Sequence, residues 1–505
     1  MTRASFLAAA ALAACALAAA AHAGPQTADD LNRCRSDDAQ PNERLAACSR
    51  VIRARPEAGE LAQAYVSRAQ AQTGLNKPGR AIRDYAEALD VAPGDPAALT
   101  GRGMLLYRMR DYQRALADFD AALARQPKEA AAAFNRALAH AAMAQNDKAI
   151  ADYGRAIELD PKMVVAYYNR ALIEKRLKRW DDALADLAKA IELDPKDPDH
   201  WAAQGDILSE QSKPDEALKS YQSAIDSDPA HTWSLAGAAA IYQLQGDLPA
   251  AVKALDAAIA ADPADADLLV GRADILAGQG DKAAALAAYG QALKIDAKSK
   301  RAFWGRGDVH YNAGAFAQAV RDYSEALKID PKDVTLAADL ADALAGGKRD
   351  REAKAAYEAA LKLAPNSAYA LTRRGVYYWT HEQNDRALVD FNRVIELQPA
   401  NATVLLSRAL IFVDADRYDR ALRDVGAVLR KDPVNHEALL LRAQIYADLG
   451  DMLRALDEYD TVIKLRPKDP DALAARGEVK AELGDDAGAA ADRAESKRLK
   501  AAKAG

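Results

Sequence analysis

The sequence predicts an all-α solenoid, a superhelix of stacked antiparallel helix pairs, and three periodic features carry this prediction. Alanine recurs every 34 residues thirteen times, with no insertion or deletion. Ala or Gly stands twelve positions before each of these alanines, and proline stands twelve positions after eleven of them. A fixed period of this length is typical of stacked helical hairpins. The alanines are Ala81, Ala115, Ala149, Ala183, Ala217, Ala251, Ala285, Ala319, Ala353, Ala387, Ala421, Ala455 and Ala489.

Each recurring residue has an expected structural role. We number the places of every 34-residue unit from Ala62, so the alanines above occupy place 20. The small residues at places 8 and 20 are expected to let two helices approach closely, because larger ones would overpack the contact at a cost of roughly 1–3 kcal/mol. Place 24 is aromatic in nine units and is expected to fill the junction between hairpins. Proline at place 32 is expected to end the second helix.

Small residues, an aromatic and proline in this register resemble the tetratricopeptide repeat family over residues 62–503, as thirteen units. The resemblance implies that the first helix of each pair lines a concave groove that binds protein partners. One departure is place 7, which is usually Arg rather than the Leu of the family. Counting backwards by one unit makes residues 28–61 a degenerate unit, so residues 24–61 are predicted to be a degenerate N-terminal hairpin, and residues 504–505 are left as a tail.

Residues 1–23 are predicted to be a signal peptide. Arg3 supplies a positive start, Phe6 to Ala20 is apolar, and Ala21-His22-Ala23 is a small-residue cleavage signal. The mature chain is therefore expected in the bacterial periplasm or outside the cell. The segment ending at Cys15 resembles a lipoprotein box, so an anchor through Cys15 is the alternative.

Two cysteines remain after cleavage, Cys34 and Cys48. An exported chain with an even pair of cysteines favours a disulfide. In the degenerate unit these residues take places 7 and 21, on either side of the close helix contact, so a bond would staple the first hairpin. A redox or metal pair is the weaker alternative, because the spacing is not C-x-x-C and no histidine adjoins either residue.

Composition and motifs point away from catalysis. The net charge of −6 gives no basic face for nucleic acid. No phosphate loop, serine elbow, cysteine nucleophile or paired metal-binding histidine is present in the sequence. We therefore expect no enzyme activity, no cofactor and no metal.

Place 7 and place 23 vary together among the units. Ten units have Arg at place 7, and nine of these have an acid at place 23. Units lacking the arginine, such as those of Gln204 and Leu340, also lack the acid. This association predicts ion pairs, either within one hairpin or between neighbours. A charged binding strip is the alternative, although it does not explain the association.

Binding residues are expected at the groove places that the resemblance implies, which are 2, 5, 9, 12 and 13. Exposed aromatics there are candidate anchors, and an acidic middle stretch favours a basic protein or peptide partner. Packing between neighbouring first helices is the competing interpretation. A second functional hypothesis is a structural part of a cell-envelope machine, for polysaccharide export or outer-membrane assembly, with aromatics stacking on sugars. The candidates are Tyr107, Phe134, Tyr168, Trp233, Trp304, Tyr311, Tyr369, Trp379, Asp206, Asp274, Asp308 and Asp342.

Overall fold

The computed structural model describes residues 25–504, with side chains from 28 to 502, so the predicted signal peptide and Cys15 lie outside the described residues. The described chain forms 28 α-helices and no strand, which confirms the all-α prediction. It divides into two compact units, one ending at Ala261 and the other beginning at Asp262. Between residues 25 and 504, no helix is both long and apolar enough to cross a membrane.

Unit 1 contains fourteen helices that pair in sequence order as antiparallel hairpins. They are α1 (Pro25–Arg35), α2 (Pro41–Arg53), α3 (Ala58–Gly74), α4 (Pro78–Val91), α5 (Pro96–Arg108), α6 (Tyr112–Arg125), α7 (Ala130–Ala142), α8 (Asn146–Leu159), α9 (Val164–Arg176), α10 (Trp180–Leu193), α11 (Pro198–Glu210), α12 (Pro214–Ser227), α13 (Thr232–Gln245) and α14 (Leu248–Ala261).

Unit 2 contains the other fourteen, paired in the same way. They are α15 (Ala266–Gly278), α16 (Lys282–Ile295), α17 (Lys300–Asn312), α18 (Phe316–Ile329), α19 (Val334–Gly346), α20 (Asp350–Leu363), α21 (Ala368–Thr380), α22 (Asn384–Leu397), α23 (Ala402–Asp414), α24 (Tyr418–Lys431), α25 (His436–Asp448), α26 (Met452–Leu465), α27 (Pro470–Glu482) and α28 (Asp486–Ala504).

The residue at place 34 is the N-cap of most of the first helices of the following hairpins. Its side chain is often Asp, Asn or Ser, and it accepts a hydrogen bond from a backbone N–H that has no partner inside the helix. The Asp95 carboxylate accepts from the Ala98 N–H at 2.8 Å, and the Asn435 side chain accepts from that of Ala438 at 3.0 Å. Two helices exceed the regular bounds: α3 begins at Ala58, before place 1, and α28 continues to Ala504.

The turn inside each hairpin has a backbone feature that the sequence pattern did not predict. Place 15 is left-handed in all thirteen units, with φ between 54° and 84°. Only five of these residues are glycine, and the others include Arg110, Ala144 and Lys348. The left-handed residue reverses the chain after the first helix and lets the next N–H groups return to its last carbonyls.

The aromatic at place 24 packs between two successive hairpins, as predicted. Tyr221 lies against Gly205 of its own hairpin and Gly237 of the next. A methyl group built on Gly205 would lie 2.7 Å from the Tyr221 ring, and one on Gly237 would lie 2.5 Å from it. Both glycines are needed for this close approach, because a larger residue would push the ring out of the junction.

The first helices of neighbouring hairpins approach one another more closely than the second helices do. Examples are α11 with α13 in unit 1, and α19 with α21 in unit 2. In each unit we call the side formed by the row of first helices its inner face. The predicted groove residues belong to these two inner faces, one in each unit.

Candidate functional site

Arginine at place 7 and the acid at place 23 form ion pairs inside single hairpins. The shortest distance between the two groups is 2.6 or 2.7 Å in all nine units that have both residues. The predicted pairing is confirmed, and the open choice between the same and neighbouring hairpins is resolved in favour of the same one. Most of the acids are buried, as for Asp390, whose side chain is 3% exposed. These acids therefore belong to the hairpin interior and offer no charged strip.

A second set of contacts links place 9 to place 24. The predicted groove acids accept hydrogen bonds from the tyrosine hydroxyls of their own hairpins. Tyr221 donates to Asp206 at 2.8 Å, and Tyr323 donates to Asp308 at 2.6 Å. The other two pairs of this kind are Tyr289 with Asp274 and Tyr357 with Asp342. Each of these aspartate side chains is thus held in place by the hydroxyl of a buried tyrosine.

The sequence interpretation treated the place 9 acids as a charged stretch and missed this pairing. A signal was available in the sequence, because the two places vary together. Where place 24 is Phe391, place 9 is the apolar Val376, and Phe119 faces Met104 in the same way. Only Tyr153, with Leu138, combines a tyrosine with an apolar place 9.

In unit 1 the structure gathers two of the predicted residues at one point of the inner face. The Trp233 indole N–H donates to Asp206 at 3.2 Å, and the Lys175 ammonium pairs with the same carboxylate at 2.6 Å. Trp233 remains 36% exposed. The carboxylate therefore joins three consecutive hairpins, and the indole ring that it holds stays partly exposed.

The other predicted residues of unit 1 are half-buried and pack on neighbouring rings. Tyr107 packs on Tyr112, with 5.6 Å between ring centroids. Phe134 packs on Tyr153 at 5.6 Å, and Tyr168 packs on the His200 ring at 5.3 Å. Burial raises the pKa of Tyr168 to about 12, with nearby aspartates adding to the effect.

Unit 2 brings the largest group of predicted residues together. Trp304, Asp308, Tyr311 and Tyr369 line one open cavity of about 240 Å³ on the inner face. Two residues that the sequence interpretation missed, Asp339 and Arg373, line it as well. Both stand at place 6, which was not among the groove places considered. Asn312 and Tyr323 complete the lining.

Hydrogen bonds organise the wall of this cavity. The Trp304 indole donates to Asp339 at 3.0 Å, and the Tyr369 hydroxyl donates to the other oxygen of the same carboxylate. The Arg373 guanidinium pairs with Asp342 and lies 5.6 Å from the centre of the Tyr369 ring. The cavity wall therefore combines aromatic faces with carboxylates held in fixed positions.

Several of these carboxylates have raised proton affinities. Desolvation inside the cavity raises the pKa of Asp308 to about 6, and the neighbouring Asp339 and Asp274 charges add to this effect. Burial also raises the pKa of Asp339 and of Asp342. Desolvation is thus the main reason that these three carboxylates hold a proton more tightly than a carboxylate in water does.

The remaining predicted residues lie outside the cavity lining. Asp274 pairs with Arg301 at 2.5 Å. Trp379 is half-buried and packs against the hydrophobic cluster that contains Phe391. Cys34 and Cys48 are fully buried, and the structure joins their sulfur atoms as a disulfide in the hairpin of α1 and α2. Among residues 28–502, no cluster of three or more His, Cys, Asp or Glu could hold a metal ion.

Helical hairpins of constant length that stack through small residues define a repeat protein of the α-solenoid class. Tetratricopeptide repeat models match residues 66–108, 100–143, 202–266, 241–300, 270–334 and 406–470, and related models match 130–163, 164–197 and 310–374. Because these matches span more than half of its length, the chain belongs to the tetratricopeptide repeat family. No curated protein sequence matches the chain.

Three solved structures illustrate what the chain is similar to. Yeast Tom70 shares 16% identity, covering 85% of this chain and 97% of that one, with a TM-score of 0.46. The Cut9–Hcn1 hetero-tetramer of APC/C shares 16% identity, covering 80% of this chain and 93% of that one, with a TM-score of 0.39. YrrB is described as a TPR protein with an unusual peptide-binding site. It shares 23% identity, covering 38% of this chain and 97% of that one, with a TM-score of 0.34.

Proposed function

We propose that the chain is an exported, non-enzymatic scaffold that binds a protein or peptide along the inner face of its helix pairs. The observation that carries this proposal is the exposure of large aromatics on first helices. Trp233 is 36% exposed and Tyr369 is 42% exposed, and each is anchored by a hydrogen bond to an aspartate. Rigid, half-exposed aromatics are the side chains that most often anchor a protein interface.

The charge of the inner face of unit 2 favours a basic partner. Asp308 and Asp339 lie beside aromatic faces with only Arg373 to offset them, and Arg373 already pairs with Asp342. A positively charged segment would be attracted at long range and would find partly desolvated carboxylates on contact.

Export to the periplasm or the exterior is supported by the signal-like sequence of residues 1–23 and by the Cys34–Cys48 bond, since disulfides persist in oxidising compartments. The alternative is a lipoprotein anchored through Cys15. Mass spectrometry of the mature N-terminus separates the two, because cleavage after Ala23 leaves Gly24 first, whereas lipidation leaves a diacylated Cys15.

Exposed aromatics also stack on sugar rings, so a structural role in a polysaccharide-export or outer-membrane-assembly machine is the second candidate function. Binding of the purified chain to envelope polysaccharide would favour this role. Loss of that binding in Trp233→Ala and Tyr369→Ala would assign it to the inner face.

Photo-crosslinking in living cells tests the scaffold proposal. The photoreactive residue p-benzoylphenylalanine replaces Trp233 or Tyr369 on the inner face. The control is Val389, which is 67% exposed on the second helix α22. We expect the same protein adduct from both inner-face positions and none from Val389. Adducts from Val389 alone, or from all three positions equally, would contradict binding along the inner face.

A further inference from the structure

Carboxylates at place 9 of the inner face follow a rule with one exception. Four hairpins have an aspartate there whose partner is a tyrosine hydroxyl at place 24. In three of the four, a cation from a neighbouring hairpin neutralises the aspartate. These pairs are Lys175 with Asp206 and Arg301 with Asp274, at 2.6 and 2.5 Å, and Arg373 with Asp342.

Asp308 is the exception. The residue 27 positions after it is Thr335, whereas the corresponding residue after Asp274 is Arg301. The residue 31 positions after it is Asp339, whereas the corresponding residue after Asp342 is Arg373. An acid therefore replaces the neutralising cation, and no lysine or arginine among residues 28–502 forms an ion pair with Asp308.

An open cavity lined by aromatic rings lies next to Asp308. Asp308 and Asp339 both line the open cavity of about 240 Å³. Trp304, Tyr311 and Tyr369 supply ring surface to the same cavity. The Tyr369 ring already lies 5.6 Å from the Arg373 guanidinium, which shows that this wall accommodates a cation.

We propose that this cavity, which we call the cation pocket, binds one lysine or arginine side chain of a partner segment that lies along the inner face. The inference rests on the proposed scaffold function and specifies its ligand chemistry. The cationic head would meet Asp308 and Asp339, completing the charge pairing found at the three other aspartates. Its aliphatic stem would pack on Trp304 and Tyr311.

Polar groups around the pocket explain why one charged head fits best. The carboxylate of Asp339 is fixed by the Trp304 indole and the Tyr369 hydroxyl, and that of Asp308 is fixed by Tyr323. These donors hold the acceptor oxygens in place before a ligand arrives, so little ordering is required on binding. A neutral side chain would leave both carboxylates with only the nearby Arg373 charge, which already pairs with Asp342.

Binding of single blocked amino acids to the full mature chain tests the pocket. The probes are Nα-acetyl-lysine methylamide, its arginine counterpart and the neutral norleucine analogue. The readout is the indole N–H resonance of Trp304, assigned by comparison with Trp304→Phe. We expect saturable shifts with lysine or arginine and at least tenfold weaker binding of norleucine. The tighter of the two cationic probes identifies the preferred head group.

Three variants provide matched controls. Asp308→Asn keeps an acceptor for Tyr323 and is expected to weaken the cationic probe at least fivefold. Thr335→Arg supplies the cation that Arg301 supplies to Asp274, so it should block the pocket. Asp274→Asn removes one charge from the same inner face outside the cavity lining, and it should weaken the cationic probe less than Asp308→Asn does. Circular dichroism verifies that each variant is folded.

The outcomes are distinct. Absence of saturable binding, equal binding of norleucine, or equal weakening by Asp274→Asn and Asp308→Asn would each overturn the cation pocket. Crosslinking from Trp233 and Tyr369 that persists in Asp308→Asn and Thr335→Arg would reject the pocket for the partner while leaving the scaffold proposal in place. Probe binding without any inner-face adduct would reject the scaffold proposal instead.

Discussion

Arg102 holds Asp118 through two parallel hydrogen bonds inside one hairpin. Its Nε donates to one carboxylate oxygen at 2.8 Å, and its Nη2 donates to the other at 2.7 Å. The carboxylate is 8% exposed, whereas the guanidinium is 24% exposed. Because the acid is the more buried partner, removal of the arginine leaves a desolvated charge behind.

We expect Arg102→Ala to lower the free energy of unfolding by about 3 kcal/mol, as for a broken buried ion pair. The double variant Arg102→Ala with Asp118→Ala should lose less than the sum of the two single variants. A double-mutant cycle from urea unfolding of the full chain measures the coupling, which we expect to be about 1–3 kcal/mol. Strict additivity would show that the two residues do not stabilise each other.

The chain offers its own uncharged version of this pair as a control. Ser220 donates to Gln204 at 2.9 Å across the same two places of another hairpin. Replacing Arg102 with Gln and Asp118 with Ser should therefore recover much of the stability lost in Arg102→Ala. The exposed pair of Arg349 and Glu352 is the comparison for surface charges, and its loss should change the stability far less than the loss of Arg102.

Glu174 predicts a loss of stability as the pH rises. It is buried on α9 close to the acid Asp186, and its Oε2 has no hydrogen-bond partner. Burial is the main reason that the pKa of Glu174 rises to about 7; the charges of Asp186 and Asp182 also raise it, whereas those of Arg170 and Arg179 lower it. The folded chain therefore holds this proton more tightly than the unfolded chain, so stability falls between about pH 4.5 and pH 7 and then levels off.

Glu174→Gln tests the prediction, because glutamine stays neutral. At pH 8 the variant should be more stable than the natural chain, by on the order of 3 kcal/mol at 1.36 kcal/mol per pKa unit. At pH 4.5 the two chains should be nearly equal. Thermal unfolding at several pH values measures the difference, and a difference that does not vary with pH would contradict the raised pKa.

The left-handed residue at place 15 predicts a stabilising substitution. Ala144 has a φ of 57°, which costs an L-residue about 1 kcal/mol relative to glycine. Ala144→Gly should therefore raise the unfolding temperature. The reverse change, Gly280→Ala, should lower it, since Gly280 has a φ of 84° and open space around its Cα. Changes of equal sign in the two variants would show that the backbone conformation does not control the effect.

The disulfide between Cys34 and Cys48 predicts that reduction loosens the N-terminal hairpin. Its cysteines are 14 positions apart. Closing a loop of about fifteen residues contributes roughly 3 kcal/mol through chain entropy. Cys34→Ala with Cys48→Ala should accelerate amide hydrogen exchange in α1 and α2 while leaving α9 and α10 unchanged. Identical amide hydrogen exchange in the oxidised and the reduced protein would show that the disulfide does not stabilise this hairpin.

The periodic sequence pattern was sufficient to predict the helices, because a helix pair needs its small residues and its helix caps at fixed places. It was also sufficient for the pairs such as Arg102–Asp118, since both members vary together among units. The left-handed turns were not predictable in this way. Residues as different as Arg110, Ala144 and Lys348 occupy place 15, so the hairpin geometry imposes the conformation there whatever the side chain.

The inner face was only partly predictable. Trp304, Asp308, Tyr311 and Tyr369 were expected there, and the structure places them around one cavity. Asp339 and Arg373 were missed because place 6 is glycine in several units, such as at Gly237 and Gly305. In those units the tyrosine ring of the preceding hairpin fills the space. Where a charged residue stands at place 6 instead of glycine, it adds a charged side chain to the inner face. Such a difference between units cannot be predicted from the residues that the units share.

The location of each arginine partner within a single hairpin has a genetic consequence. A duplication or deletion of one whole hairpin adds or removes both members of a pair such as Arg374 and Asp390 together. No acid at place 23 loses its arginine by the event. The array can therefore lengthen or shorten by recombination while each remaining hairpin keeps its own buried pair of arginine and acid.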